Sequence, residues 1–334
     1  MKLRPRFTSE GASSRLRPQE LQAESEFASI ALRAVCLTNE VKQPASEARV
    51  SREVVQEVSQ SRYVKAGTAI PADHVLTPGG YRNKSLVHRV APGHAVTHEA
   101  GKSLTLDLST KAVTEVPPEE TKSLGVPSPG SGWITYASWA NTTGKPISLF
   151  TTSWVVPQAP ATQSGQTIFI FNGLADSARN DIVQPVLQWG VGAQGGGNYW
   201  AVANWYVDPS GNAYYSSLVP VQEGDVLVGR IALTDQSEAS FSYRTEFEGI
   251  AGTALPVLNV AELSVASETL EAYQISACSD YPNAPSTSMT SIDLRTNGSP
   301  APLVWMATNK VVDCGQKTTI VNNANPGGQV DIVY

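Results

Sequence analysis

Beyond His98 this chain has no histidine; all four, His74, His88, His94 and His98, lie in the first third of its 334 residues. A Ser-His-Asp or Cys-His nucleophile system contained in the rest is therefore excluded, because both need an imidazole base. A histidine-rich zinc site there is excluded too. The four N-terminal histidines match no metal-ligand spacing and read as solvated surface groups, so no metal and no cofactor is assigned. Charge is scarce as well. Charged residues make up 16% of the chain, against a typical quarter. The net charge of −6 is the wrong sign for a nucleic-acid partner, which needs a basic surface. Three cysteines are too few for a disulfide scaffold. Cys36 stands in the N-terminal segment; Cys278 and Cys314 either pair in an oxidising compartment or remain free buried thiols. No apolar run approaches the roughly 20 residues of a membrane span. The opening MKLRPRFTSEGASSRLRPQE has no apolar core, and the first apolar patch, FASIALRAVCL, is short and interrupted by Arg33. No secretory leader is read there, and the compartment is left open. No phosphate loop or dinucleotide fingerprint is present, since GAQGGGNYW follows one strand and opens another instead of a helix.

What is abundant points to β structure. The chain carries 26 Gly and 22 Pro with 41% hydrophobic residues, enough for a sizeable core broken by many turns. Residues 1–65 are charged and rich in Ser, Gln and Glu. Ser25–Asn39 and Ser51–Tyr63 carry apolar residues at helical spacing, and the first 25 residues or so read as disordered. Residues 66–130 change character: the runs SLVHRV, AVTHEA, SLTLDLS and AVTEV are broken by PGG, APG and GK. They form either a small meander or an arm that adds strands to the main domain. VPPEETKSLGVPSPGSG closes this part as a linker. From about residue 131 to Tyr334, short runs such as WITYASW, TIFIFNGL, PVLQWGV, YWAVANWYV and DVLVGRIAL recur between turn signals. That pattern predicts an all-β, antiparallel sandwich.

One stretch in that domain carries a polar residue inside an apolar strand. In Ile182–Tyr206, alternation sets Val186, Gln188 and Gly190 on one face and Leu187 and Trp189 on the other. An amide opposite a Leu/Trp core face fits a groove, and it equally fits a solvated sheet face. With histidine absent, hydrolytic chemistry would have to use carboxylates. Most Asp and Glu of the domain flank turns, where solvent accounts for them. Glu268 and Glu271 instead sit within the strand ASETLEAYQIS. Alternation places Ser267, Thr269, Glu271 and Tyr273 on a polar face and Glu268, Leu270 and Ala272 on a core face. Glu268 and Glu271 thus point apart, poorly placed as the two facing carboxyls of a glycosidase.

Several pieces, taken in order, resemble the glutamic peptidases, or eqolisins. Ala137-Ser138-Trp139-Ala140 looks like that family's Ser-Asn-Trp-Gly element, and Val156-Pro157 like its Val-Pro pair. Ile168–Gly173, IFIFNG, is similar to its Trp-Val-Gly-Ile-Asp-Gly strand. Leu187-Gln188-Trp189-Gly190 resembles the Leu-Gln-Thr-Gly that carries the catalytic glutamine. Asn204-Trp205-Tyr206-Val207 resembles Glu-Trp-Tyr-Pro, and Glu223-Gly224-Asp225 matches a Glu-Gly-Asp turn. Ala266–Glu271, ASETLE, is similar in register to the strand that ends in the catalytic glutamate; starting instead from Ala261-Glu262 would put Ala266 there. The resemblance spans about residues 133–290.

The resemblance implies a concanavalin A-like β-sandwich of jelly-roll type over residues 131–334 and an endopeptidase that uses a Gln188/Glu271 dyad on peptide or protein substrates. Glu271 would act as general acid and base on a water, and Gln188 would orient that water and donate to the oxyanion. No metal or covalent intermediate is needed. Asn172, Trp189, Asn204, Trp205, Tyr206 and Tyr273 would line the substrate groove of a monomer. Asn172 and Asn204 stand where the family has acids, which implies a less raised dyad pKa and a less acidic optimum. The family's propeptide would fall in residues 1–130, although an extension packed permanently on the sandwich is the simpler account. The alternative function is a non-catalytic concanavalin-like module whose aromatic residues stack on carbohydrate or flank a peptide.

Overall fold

The computed structural model describes residues 70–99, 101–116 and 132–334. Both expected helices, the expected N-terminal disorder and nearly all of the linker lie outside these residues. The N-terminal arm supplies β1 (His74–Thr77), β2 (Gly80–Asn83), β3 (Val87–Arg89), β4 (His94–Glu99), β5 (Lys102–Asp107) and β6 (Val113–Glu115). The body begins with β7 (Trp133–Ala140), β8 (Ile147–Val155), β9 (Thr167–Ala175), β10 (Ile182–Gly192), β11 (Gly195–Val207), β12 (Ala213–Tyr215) and β13 (Val219–Pro220). It continues with β14 (Val226–Gln236), β15 (Phe241–Phe247), β16 (Leu255–Val260) and β17 (Val265–Tyr273). Last come β18 (Ser286–Thr296), β19 (Ser299–Pro300), β20 (Met306–Asn309), β21 (Lys317–Asn322) and β22 (Gly328–Val333). Among the described residues the helical pieces are two 3-10 turns, Lys84–Leu86 and Cys278–Asp280.

These strands form the expected all-β sandwich. One sheet has the order β20-β7-β17-β9-β10-β11-β12-β3, with β13 beside β11; the other runs β21-β22-β18-β8-β14-β15-β16-β4-β5-β6, with β19 beside β18. Pairing is antiparallel except at two seams, where β3 joins β12 and β4 joins β16 in parallel. Both parallel partners come from the arm, so the arm extends each sheet at one edge. Side-chain contacts tie it down further. The Tyr206 hydroxyl meets His98 Nε2 at 2.8 Å, and Ser103 Oγ donates to Asp208 Oδ2 at 2.8 Å.

The main core lies between the sheets. Ile168, Ile170, Leu187 and Trp189 of the first sheet meet Phe150, Trp154, Ile231, Tyr243 and Leu294 of the second. A second apolar cluster covers the outer face of the first sheet: Trp133, Tyr136, Phe169, Phe171, Val186, Trp205 and Tyr273, joined by Leu76 of the arm. The central strands are therefore covered on both faces. Every residue of β9 and β17 is buried, and the near-continuous apolar run TIFIFNGLA reflects this. Cys278 and Cys314 form a disulfide with Cα atoms 5.4 Å apart, within ordinary bridging distance.

Candidate functional site

Register decides which expected site residues meet. Strand β9 separates β10 from β17, and Phe169 is the cross-strand partner of both Gln188 and Glu271. Direct partners in a sheet project to the same face. Gln188, Phe169 and Glu271 thus form one row across the outer face, with Gln188 and Glu271 about 10 Å apart at the backbone, two strand spacings. Trp205 and Tyr273 belong to the same outer-face cluster.

The other four residues expected in the groove face the opposite way. Trp189 lies in the inter-sheet core, its ring 5.4 Å from that of Trp200. Tyr206 is also inward, stacked on Tyr214 at 5.7 Å. Asn172 Nδ2 donates to the Gly229 carbonyl of the second sheet at 3.3 Å. Asn204 Nδ2 donates to the Thr253 carbonyl at 2.8 Å, and its Oδ1 accepts from the Thr245 hydroxyl. These are bonds that tie one sheet to the other. Trp189, Tyr206, Asn172 and Asn204 therefore do not line the outer face, and neither asparagine adjoins Gln188 or Glu271. The argument for a less acidic optimum loses its geometric basis with them. The physical reason is parity: Asn172 is three residues from Phe169, an odd step along a strand, and so projects inward.

Glu271 is the unusual group on the outer face. It is fully buried, and burial pushes its carboxyl up to about 8, opposed by hydrogen bonds from Tyr273 and Gly79 and by the charges of Arg82 and Lys310. At neutral pH it is mainly the neutral acid. Its Oε1 accepts from the Gly79 amide at 2.8 Å and from the Tyr273 hydroxyl. Oε2 has no hydrogen-bond partner among the described residues. Such a group in a buried setting carries a desolvation cost.

Gln188 is committed elsewhere. Its Nε2 donates to the carbonyls of Gly190 at 2.9 Å and Gly195 at 3.0 Å, and its Oε1 accepts from Gln194. The side chain thus holds the glycine-rich β10–β11 turn closed. Glycine is required there: a Cβ on Gly196 would lie 2.3 Å from the Gly190 carbonyl oxygen and 2.5 Å from Gln188 Nε2. No hydrogen bond links Gln188 to Glu271, and Phe169 stands between them.

The arm fills the rest of this face. Strands β1 and β2 form a hairpin closed by Pro78-Gly79, with Thr77 paired to Gly80. Gly79 has φ +91°, which suits glycine after proline in a tight turn. The sequence signal lies in HVLT-PG-GYRN, whose PGG by itself reads only as a break between runs. Leu76 packs into the outer cluster, and the Tyr81 ring meets Tyr273 edge-on at 5.8 Å. Arg82 is buried beneath: Nε donates to Thr77 Oγ1 at 3.1 Å and Nη1 to the Gly211 carbonyl at 2.9 Å, while Nη2 has no partner among the described residues. Arg82, Gly79, Trp133, Ile182 and Gln184 line a narrow gap under the hairpin.

On the inner face a second carboxyl, Glu268, is also fully buried and raised well above the ordinary range by burial; its Oε1 accepts from Thr152 Oγ1 at 2.5 Å. It serves the junction between sheets. Among the described residues no group of three or more His, Cys, Asp or Glu side chains is placed to hold a metal ion.

No family model and no curated protein matches the chain. Solved structures do. Scytalido-glutamic peptidase with a peptide-based transition-state analogue is similar at 14% identity and a TM-score of 0.42, over 60% of this chain and 98% of that one. SCP-B, a member of the eqolisin family of peptidases in complex with the tripeptide Ala-Ile-His, is similar at 15% identity and a TM-score of 0.35, over 60% of this chain and 98% of that one. A toad ovary galectin in complex with thio-digalactose is similar at 14% identity and a TM-score of 0.26, over 41% and 91%. The likeness is distant and concerns the fold.

Proposed function

We propose that this protein is a hydrolase of the glutamic-peptidase type, held with its working face filled by the β1–β2 hairpin. One observation carries the reading: Glu271, a fully buried carboxyl, shares an outer-face row with Gln188 and leaves Oε2 unpartnered among the described residues. A carboxyl kept neutral by burial is suited to donate a proton. Withdrawal of the hairpin would admit water, remove the burial that raises the pKa, and return the group toward the carboxylate range. It would then serve as base toward a water above the Phe169 ring. Gln188 would supply an amide N–H to the developing oxyanion, giving up one of its bonds to the glycine turn. Such a donor is worth about 3 kcal/mol of barrier.

The contrasting reading, a peptide-binding module without catalysis, is favoured by a different observation. Both Nε2 hydrogens of Gln188 are spent on Gly190 and Gly195, and the Phe169 ring occupies the row between the two polar groups. Cleavage of a denatured protein substrate between pH 2 and 7 by the full chain carrying Leu76→Asp, which places a charge in the buried contact and displaces the hairpin, against the same chain also carrying Glu271→Gln, separates the two. Cleavage by the first that is lost in the second is the expected result. Absence of cleavage across the range with the hairpin displaced, or equal turnover by both, overturns the peptidase reading.

A further inference from the structure

We propose that the outer face around Glu271 is a receptor for a peptide β-turn, and that the chain's own Leu76–Gly79 segment is its occupant in this state. The inference rests on taking the Glu271 face as the working face, and it names the ligand class of that face. The body grips the segment at two backbone atoms. The Ala193 amide donates to the Leu76 carbonyl at 2.7 Å, and Glu271 Oε1 accepts from the Gly79 amide at 2.8 Å. The donor takes residue i, Leu76, just before the Thr77–Gly80 turn, and the acceptor takes residue i+3, Gly79, within it. Neither bond belongs to the hairpin's own ladder, which pairs His74–Thr77 with Gly80–Asn83. The hairpin therefore does not need them in order to form.

Side-chain selection follows from the surroundings. Leu76 is 6% exposed among Phe169, Val186 and Trp205, so position i takes a branched apolar residue. Gly79 at φ +91° would bring any Cβ to 3.3 Å from Arg82 Nη2 in a strained backbone, so position i+3 takes glycine. Pro78 pre-sets the turn. The ligand class is thus a peptide of the pattern apolar–any–Pro–Gly. Gln188 is a positioning residue in this arrangement: by bonding Gly190, Gly195 and Gln194 it fixes the loop that presents the Ala193 amide. A buried carboxyl with one oxygen unpartnered among the described residues is a costly group merely to pack a hairpin against, and its other oxygen is used where the peptide chain turns.

The test uses the full chain and a fluorescein-labelled synthetic peptide of residues 73–84, DHVLTPGGYRNK, read by fluorescence anisotropy. Leu76→Asp places a charge in the buried contact and displaces the internal hairpin. The variant is expected to bind the peptide at least about tenfold tighter than wild type, whose own hairpin competes for the face. A control peptide with Gly79→Val is expected to bind at least about tenfold more weakly. Equal binding of the peptide by wild type and a folded Leu76→Asp protein, or equal binding of the control peptide, overturns the proposal. Where near-ultraviolet circular dichroism shows Leu76→Asp unfolded, the same comparison is decided with Tyr81→Ala, which removes the ring contact with Tyr273 and the hydrogen bond from Gln274 Nε2. Mass spectrometry of the bound peptide keeps the two readings apart. A peptide bound and left intact upholds the receptor and counts against the peptidase. Cleavage of denatured protein without turn-dependent binding does the reverse.

Discussion

Glu271→Gln gives a pH-dependent stability that can be worked out from the site. Burial raises the Glu271 carboxyl to about 8 from an ordinary 4.5, so the folded chain holds this proton more tightly than the unfolded chain. The stabilisation is complete below the unfolded value. It is lost as pH rises from about 4.5 toward 8, because folding must then either bind a proton or bury a charge. At 1.36 kcal/mol per pH unit, that interval corresponds to about 4 to 5 kcal/mol. Glutamine keeps the acceptor oxygen for the Gly79 amide and the Tyr273 hydroxyl but does not titrate. Its amide nitrogen replaces the partnerless Oε2 and adds an offset that is the same at every pH. Burial raises Asp181 to about 7 and lowers His88 and His98 from the ordinary imidazole value, so these groups add a pH dependence of their own. They are common to both proteins and cancel in the difference, provided they do not couple to the site. Urea unfolding followed by the fluorescence of the seven tryptophans, at pH 5 to 8, reads the difference directly. The glutamine variant should gain about 4 kcal/mol relative to wild type across that range. Parallel stability curves would refute the claim that Glu271 is protonated beneath the hairpin.

Three further outcomes are expected. Gly229→Ala should cost about 2 to 3 kcal/mol in urea unfolding, because the new methyl would stand 2.3 Å from Asn172 Oδ1 and 2.8 Å from both Pro185 and Trp154. Reduction of Cys278–Cys314, which closes a loop over a sequence separation of 36, should remove about 4 kcal/mol by the chain-entropy relation; a thermal melt with and without dithiothreitol checks this. Glu268→Gln should likewise gain stability over wild type in urea unfolding as pH rises from about 4.5 toward 7, because burial holds on the folded carboxyl a proton that the unfolded chain has lost. A loss above about 3 kcal/mol would mean an ionised, paired group instead.

Much of the sandwich was legible because its strands announce themselves. The runs WITYASW, TIFIFNGL, PVLQWGV and YWAVANWYV all fall on strands, and the faces assigned to Leu187, Trp189, Glu268 and Glu271 agree with the two apolar clusters. Strand β18, STSMTSIDLRT, escaped because its inward residues mix Met289, Ile292 and Leu294 with Thr287 and Thr296, and register shifts between Met289 and Ile292 break the alternation. For the arm the sequence allows both a separate meander and an edge strand for each sheet, since parallel pairing between distant segments has no local signal. Asn172 and Asn204 were misplaced for a related reason. Linear similarity aligns positions but carries no cross-strand register, and register alone reveals that Asn172 pairs beside Glu268 while Phe169 pairs beside Glu271.

The two parallel seams matter for what happens to the protein after damage. Strand β4 pairs with Val257 and Leu258 in the middle of LPVLNV, and β3 pairs with Ala213–Tyr215. Both of these body strands would otherwise present open rows of amide and carbonyl groups. An apolar strand of six residues with a bare edge is a template for pairing with another molecule. A single cut in the connection between arm and body would leave the arm held by its ladders, by His98 and by Ser103. Only its physical departure would bare both edges at once, so losing the arm should open the chain to aggregation edge to edge.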